Sequence, residues 1–136
     1  MTVGITNFNW QQGDDLRINI NVSAGEPGAL VPKDLANFDC RFDIKYNGIL
    51  IATVNSEDND PETFDELAMN ADGVIGAISG IVSRQYTLTG IVAETVTPQE
   101  PMVANYDLFL RNRVTNEQYK LLKGIIIIEG SYTLWQ

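Results

Sequence analysis

Histidine is missing from the sequence altogether. The commonest general base and a common metal ligand are therefore unavailable. Cysteine occurs once, as Cys40, so no internal disulfide can form. Cys40 falls in an alternating apolar series and reads as a small core residue rather than a nucleophile. Basic residues are scarce: nine Lys and Arg stand against eighteen Asp and Glu, a formal net charge of −9. Phosphate contacts need Lys and Arg, so this balance speaks against non-specific nucleic-acid or anionic-membrane binding. It suits solubility, a basic partner or cation binding. Long apolar runs are also lacking; no segment approaches the ~20 residues of a membrane-spanning helix. The opening "MTVGITNFNW" has neither a positive start nor an apolar stretch, so no signal peptide is expected.

What is present is one domain's worth of chain, 136 residues with a hydrophobic fraction of 44 %, enough for a single core without metals or disulfides. The dominant period is two. Leu16, Ile18, Ile20 and Val22 alternate with Arg17, Asn19 and Asn21, which predicts a half-buried strand. "AGEPGALVP" is a loop. In "FDCRFDIKY", Phe38, Cys40, Phe42, Ile44 and Tyr46 face one way, and Asp39, Arg41, Asp43 and Lys45 the other. Asn47-Gly48 then predicts a type I′ hairpin turn between strands at about 38–46 and 49–54.

Asp60-Pro61, with Glu62, Asp65 and Glu66 behind it, predicts a short helix over 61–69, capped and acid-started. Strands resume with "VIGAISGIV" and the alternating "YTLTGIVAETV". "ANYDLFLRNRV" places Tyr106, Leu108 and Leu110 on one face, and a turn at 115–117 leads to "QYKLLKGIIIIEG". There the four isoleucines suit a strand covered on both faces, with Gly124 marking a bulge. The sum is an all-β fold: an antiparallel β-sandwich of seven to eight strands with one short helix, in a single domain over 1–136. Residues 1–12 are expected as a leader or arm, and 83–104 as an added strand or arm.

No constellation points to catalysis. Glu57, Asp58, Asp60, Glu62, Asp65 and Glu66 form the best cation candidate, with Asp58, Asp60 and Glu62 as possible ligands. A calcium loop beginning at Asp58 would place Thr63 where Gly is needed and Met69 where Glu is needed, so a solvated, helix-capping loop is the better reading. Asp14 and Asp15 are neighbours, and neighbours in a strand point to opposite faces, so they make no paired-carboxylate site. The serines lie in no nucleophile elbow and have no histidine to activate them. "GVIGAISG" lacks the Lys-Ser/Thr of a phosphate loop. The expectation is no enzyme and no cofactor.

Five stretches in order resemble small bacteriophage and prophage virion proteins: Gln12-Gly13-Asp14, Asp34-Leu35-Ala36-Asn37-Phe38, Asp72-Gly73-Val74-Ile75, Tyr106-Asp107-Leu108-Phe109-Leu110, and Leu121-Leu122-Lys123-Gly124-Ile125. They resemble the immunoglobulin-like β-sandwich family of baseplate-upper, tail-fibre-attachment and head-decoration proteins. Ala36 departs from the usual Thr or Ser, and the stretch before Tyr106 is longer than usual. The resemblance implies a structural subunit of the virion, made in the host cytoplasm, homo-oligomeric and docked on other virion proteins, with no nucleic-acid or membrane partner. It implies no catalytic residues. Phe8, Trp10, Tyr132 and Trp135, near the two termini, read either as interface anchors or as caps closing the ends of the sandwich. A reading from another class is a recognition sandwich that binds carbohydrate or Ca²⁺ through the 55–66 loop.

Overall fold

The protein is described here by a computed structural model, which describes residues 4–24, 28, 31–56 and 66–132. Within them the fold is all-β, built from β1 (Gly4–Ile5), β2 (Phe8–Gln11), β3 (Leu16–Asn21), β4 (Ser23–Ala24), β5 (Val31–Pro32), β6 (Phe38–Tyr46), β7 (Ile49–Asn55), β8 (Glu66–Met69), β9 (Ala77–Val82), β10 (Met102–Asn112) and β11 (Gln118–Glu129). Two short helices, α1 (Gln85–Leu88) and α2 (Gly90–Thr95), link β9 to β10.

The larger sheet runs β11-β10-β6-β7, and β1 and β2 together line the outer edge of β11. The smaller sheet is β3-β9-β8, and β4 pairs with β5. Each long strand follows from its alternation. Phe42, Ile44, Tyr106, Leu108, Leu110, Ile126 and Ile128 come from the larger sheet, and Ile18, Leu67, Ile78 and Val82 from the smaller; all join one buried core. The β6–β7 hairpin is as expected, with Asn47 (φ 49°) and Gly48 (φ 79°) both in the left-handed region that a type I′ turn requires. At one end of the molecule Asn70, itself left-handed, ties two loops together. Its Oδ1 accepts from the Leu35 and Gly76 amides (3.1 and 3.0 Å), and its Nδ2 donates to Asp34 (2.8 Å).

Several expectations are corrected. The helix expected over 61–69 is a strand where it is described: Leu67 is buried, Ala68 exposed, and Glu66–Met69 completes the smaller sheet by pairing with β9. Residues 61–65 lie outside the described residues. The alternating "YTLTGIVAETV" is helical, because it turns at Gly90 (φ 61°) and packs Thr87 and Val92 into the core. Packing here outweighs β-propensity. The expected arm at 1–12 contributes two strands to the sheet: β1 pairs with Leu122 and Lys123, and β2 with Ile126–Glu129, both parallel to β11. The fold is therefore mixed rather than wholly antiparallel.

The bulge in β11 falls at Leu121, which the ladder with β10 skips. Gly124 has another role. The Thr6 backbone passes so close that a Cβ at 124 would collide with the Thr6 carbonyl oxygen.

Candidate functional site

The terminal aromatics separate. Trp10 is 1 % exposed, and its indole Nε1 donates to the Asp14 carbonyl (2.7 Å). Phe8 packs edge-on against Phe42 and Tyr106, with ring centroids 6.2 and 5.2 Å away. Trp10 is a core residue and the half-buried Phe8 packs against the core, so both close the sandwich rather than anchor an interface; alternation along β2 turns both rings inward, and Asn9 and Gln11 outward. Tyr132 is 83 % exposed and takes a hydrogen bond from Gln99 Nε2 (3.2 Å). Trp135 lies outside the described residues, as do the cation candidates Asp58, Asp60 and Glu62. Among the described residues no three His, Cys, Asp or Glu gather to hold a metal.

The Gln12-Gly13-Asp14-Asp15 turn is structural. Gln12 is buried, and its Nε2 donates to the Thr87 carbonyl (3.0 Å) while its own carbonyl accepts from Ser131 Oγ (2.9 Å). Thr87 Oγ1 accepts from the Gly13 amide (3.0 Å), and the Asp15 carboxylate accepts from the Arg84 amide (2.9 Å). These bonds dock α1 and the chain after β11 onto the lead-in to β3. Cys40 is a core thiol, pushed up to about 12 by burial and by the neighbouring Asp39 charge, which leaves it un-ionised and inert near neutral pH.

The outer face of the larger sheet, turned away from the core, has two halves. Near the Asn47-Gly48 turn it is apolar. Val103 is 52 % exposed and pairs with Ile127, while Ile125 lies beside it opposite Asn105. Ile125 and Ile127 are half-buried, so the isoleucine run is covered fully on its core face alone. On β7, at the sheet edge, Ile49 and Leu50 are 53 % and 45 % exposed.

The other half carries the charged side chains and holds a cavity of about 320 Å³ lined by Asp39, Arg41, Asp43, Asn55, Arg111 and Gln118 and by the apolar Cys40, Phe109 and Leu110. Strand register assembles it: Asp39 stands opposite Arg111, and Arg41 opposite both Phe109 and Asn55. Asp39 and Asp43 are buried although they point away from the core, because guanidinium groups fold over them. Asp39 pairs with Arg111 (3.1 Å) and Arg113 (2.8 Å). Asp43 Oδ1 accepts from Arg41 Nε (2.9 Å) and Thr53 Oγ1 (2.5 Å). The Lys120 ammonium, paired with Asp107 (2.9 Å), sits 5.6 Å from the centroid of the Phe109 ring. The alternation of "FDCRFDIKY" sets Asp39, Arg41 and Asp43 on the face opposite the apolar series and says nothing of what they meet there. Their convergence depends on the pairing of β6 with β10, which no local pattern encodes.

No known protein family matches the sequence, and no curated protein matches it either.

Proposed function

We propose that the protein is a non-enzymatic structural subunit of a bacteriophage virion, one that self-associates and docks on other virion proteins. The tail, baseplate or fibre-attachment region is the favoured place; decoration of the head shell is the second placement in the same class. The observation that carries the reading is the β7 edge, on which no strand pairs among the described residues. A sheet edge presents unpaired backbone N–H and C=O groups, and proteins that stay monomeric blunt such edges with charge or proline. "ILIATVN" has neither, and it exposes Ile49 and Leu50 beside that edge. An edge of this kind is complementary to a second copy of itself. Two copies related by a two-fold axis can join β7 to β7 and extend the sheet.

The strand order supports the family side of the reading. A β11-β10-β6-β7 sheet, flanked by a parallel N-terminal strand and set against β3-β9-β8, agrees with the G-F-C-C′ and B-E-D sheets of an immunoglobulin-like sandwich. The motif resemblance points to the same fold. A rigid β scaffold with an open edge is what a particle subunit needs.

Light scattering of the purified protein tests self-association. A dimer or larger assembly is expected, reduced to monomer by Leu50→Lys with an unchanged far-UV spectrum. A strict monomer at every concentration would overturn the assembly reading. The identity of the neighbouring reading frames, or the chain's position in an imaged particle, tests its place in a virion.

A further inference from the structure

We infer that the polar half of the outer sheet face is a binding site for a neutral, polyhydroxylated ligand: one sugar ring of a glycan, seated against Phe109 between the carboxylates and guanidinium groups of β6 and β10. This goes beyond the assembly reading and does not depend on it.

Size, charge and hydrogen-bonding capacity agree. At about 320 Å³ the cavity lies at the small end of ligand pockets, which suits one ring rather than an extended chain. Its lining balances Asp39 and Asp43 against Arg41 and Arg111. A phosphate or carboxylate ligand would meet two carboxylates, and a simple cation would meet two guanidinium groups. A neutral ligand that both donates and accepts hydrogen bonds meets no repulsion. A hydroxyl does both. Carboxylates accept, guanidinium groups donate, and the side-chain amide of Gln118 does both, so neighbouring hydroxyls find paired partners.

The groups are held before a ligand arrives. Arg41 and Thr53 both bond Asp43 Oδ1, and no hydrogen bond among the described residues is made at its Oδ2, so that oxygen remains an acceptor for a ligand hydroxyl. Asp39 is fixed by two arginines. Such preorganisation lowers the ordering cost of binding. Phe109 is half-buried and, with Cys40 and Leu110, makes up the apolar part of the lining; its ring supplies the surface that the C–H face of a pyranose needs.

Amide chemical-shift titrations with the methyl glycosides of glucose, galactose and N-acetylglucosamine test the site, with inorganic phosphate and glycine as controls. At least one glycoside is expected to give saturable shifts on Arg41, Asp43, Phe109 and Arg111. Phe109→Ala should weaken that binding about tenfold or more. The near-isosteric Asp43→Asn should weaken it severalfold while leaving the melting temperature within a few degrees. The Leu50→Lys variant should bind as the parent protein does, which separates this site from the assembly edge. Absence of saturable shifts on this face with all three glycosides would overturn the inference. So would phosphate or glycine titrating the same amides in their place, which would mark an anion or zwitterion site.

Discussion

At the scale of single residues, Trp10 shows what a tryptophan in a polar stretch means. Its neighbours Asn7, Asn9, Gln11 and Gln12 suggested an exposed leader, yet it is the largest fully buried side chain among the described residues. Truncation to alanine removes that packing and strands the Asp14 carbonyl. Trp10→Ala should cost about 3–5 kcal/mol, read as a lower midpoint in chemical denaturation, with the folded protein's assembly state unchanged. Loss of assembly without loss of stability would return Trp10 to an interface. The signal for burial was legible: N-F-N-W-Q alternates with period two, as a half-buried strand does. What concealed it is that β2 pairs with β11, more than a hundred residues away, and a lone four-residue alternation names no partner.

Elements were legible where their chemistry is local. The β6–β7 hairpin combines two alternating runs with Asn-Gly between them, and each part points the same way. The helix expected after Asp60 and the strand expected after Ser83 fell where local preference and tertiary packing disagree. In the first, β9 offers Leu67 and Met69 a ladder; in the second, Thr87 of α1 is bonded to the Gln12-Gly13 turn and Val92 of α2 is buried in the core.

The joint between β1 and β2 is the element whose attachment is most readily tested. The Tyr106 hydroxyl donates to the Thr6 carbonyl (2.5 Å), just where Thr6 crosses Gly124. Tyr106→Phe should cost about 0.5–1.5 kcal/mol and raise amide exchange in β1 and β2 while β6 stays protected. The same residue sets an alkaline limit. Burial pushes its hydroxyl from 10.0 up to about 12, so its stabilising contribution is whole below pH 10 and is lost as pH rises through 12. Denaturation midpoints of the parent protein should fall across that window. The fall should be shallower in Tyr106→Phe, with Cys40, pushed from 9.0 to about 12, and Tyr119, also raised by burial, contributing to what remains.

For the whole molecule, net charge and the open edge act against each other. Each chain carries a formal charge of −9, so two copies repel at a distance. The β7 edge offers backbone hydrogen bonds and apolar side chains, neither of which salt weakens. Raising ionic strength shortens the screening length from about 10 Å at 0.1 M to about 3 Å at 1 M, which removes the repulsion and leaves the contact. Self-association through β7 should therefore tighten with added sodium chloride, as a sedimentation series would show, and Leu50→Lys should abolish it at every salt concentration. Association through the Asp–Arg face would behave in the opposite way, because those pairs would be screened along with the repulsion. A dimer that dissociates as salt rises, and that ignores Leu50→Lys, would move the contact from the edge to the polar half of the sheet face, and would place a partner where the sugar site is inferred.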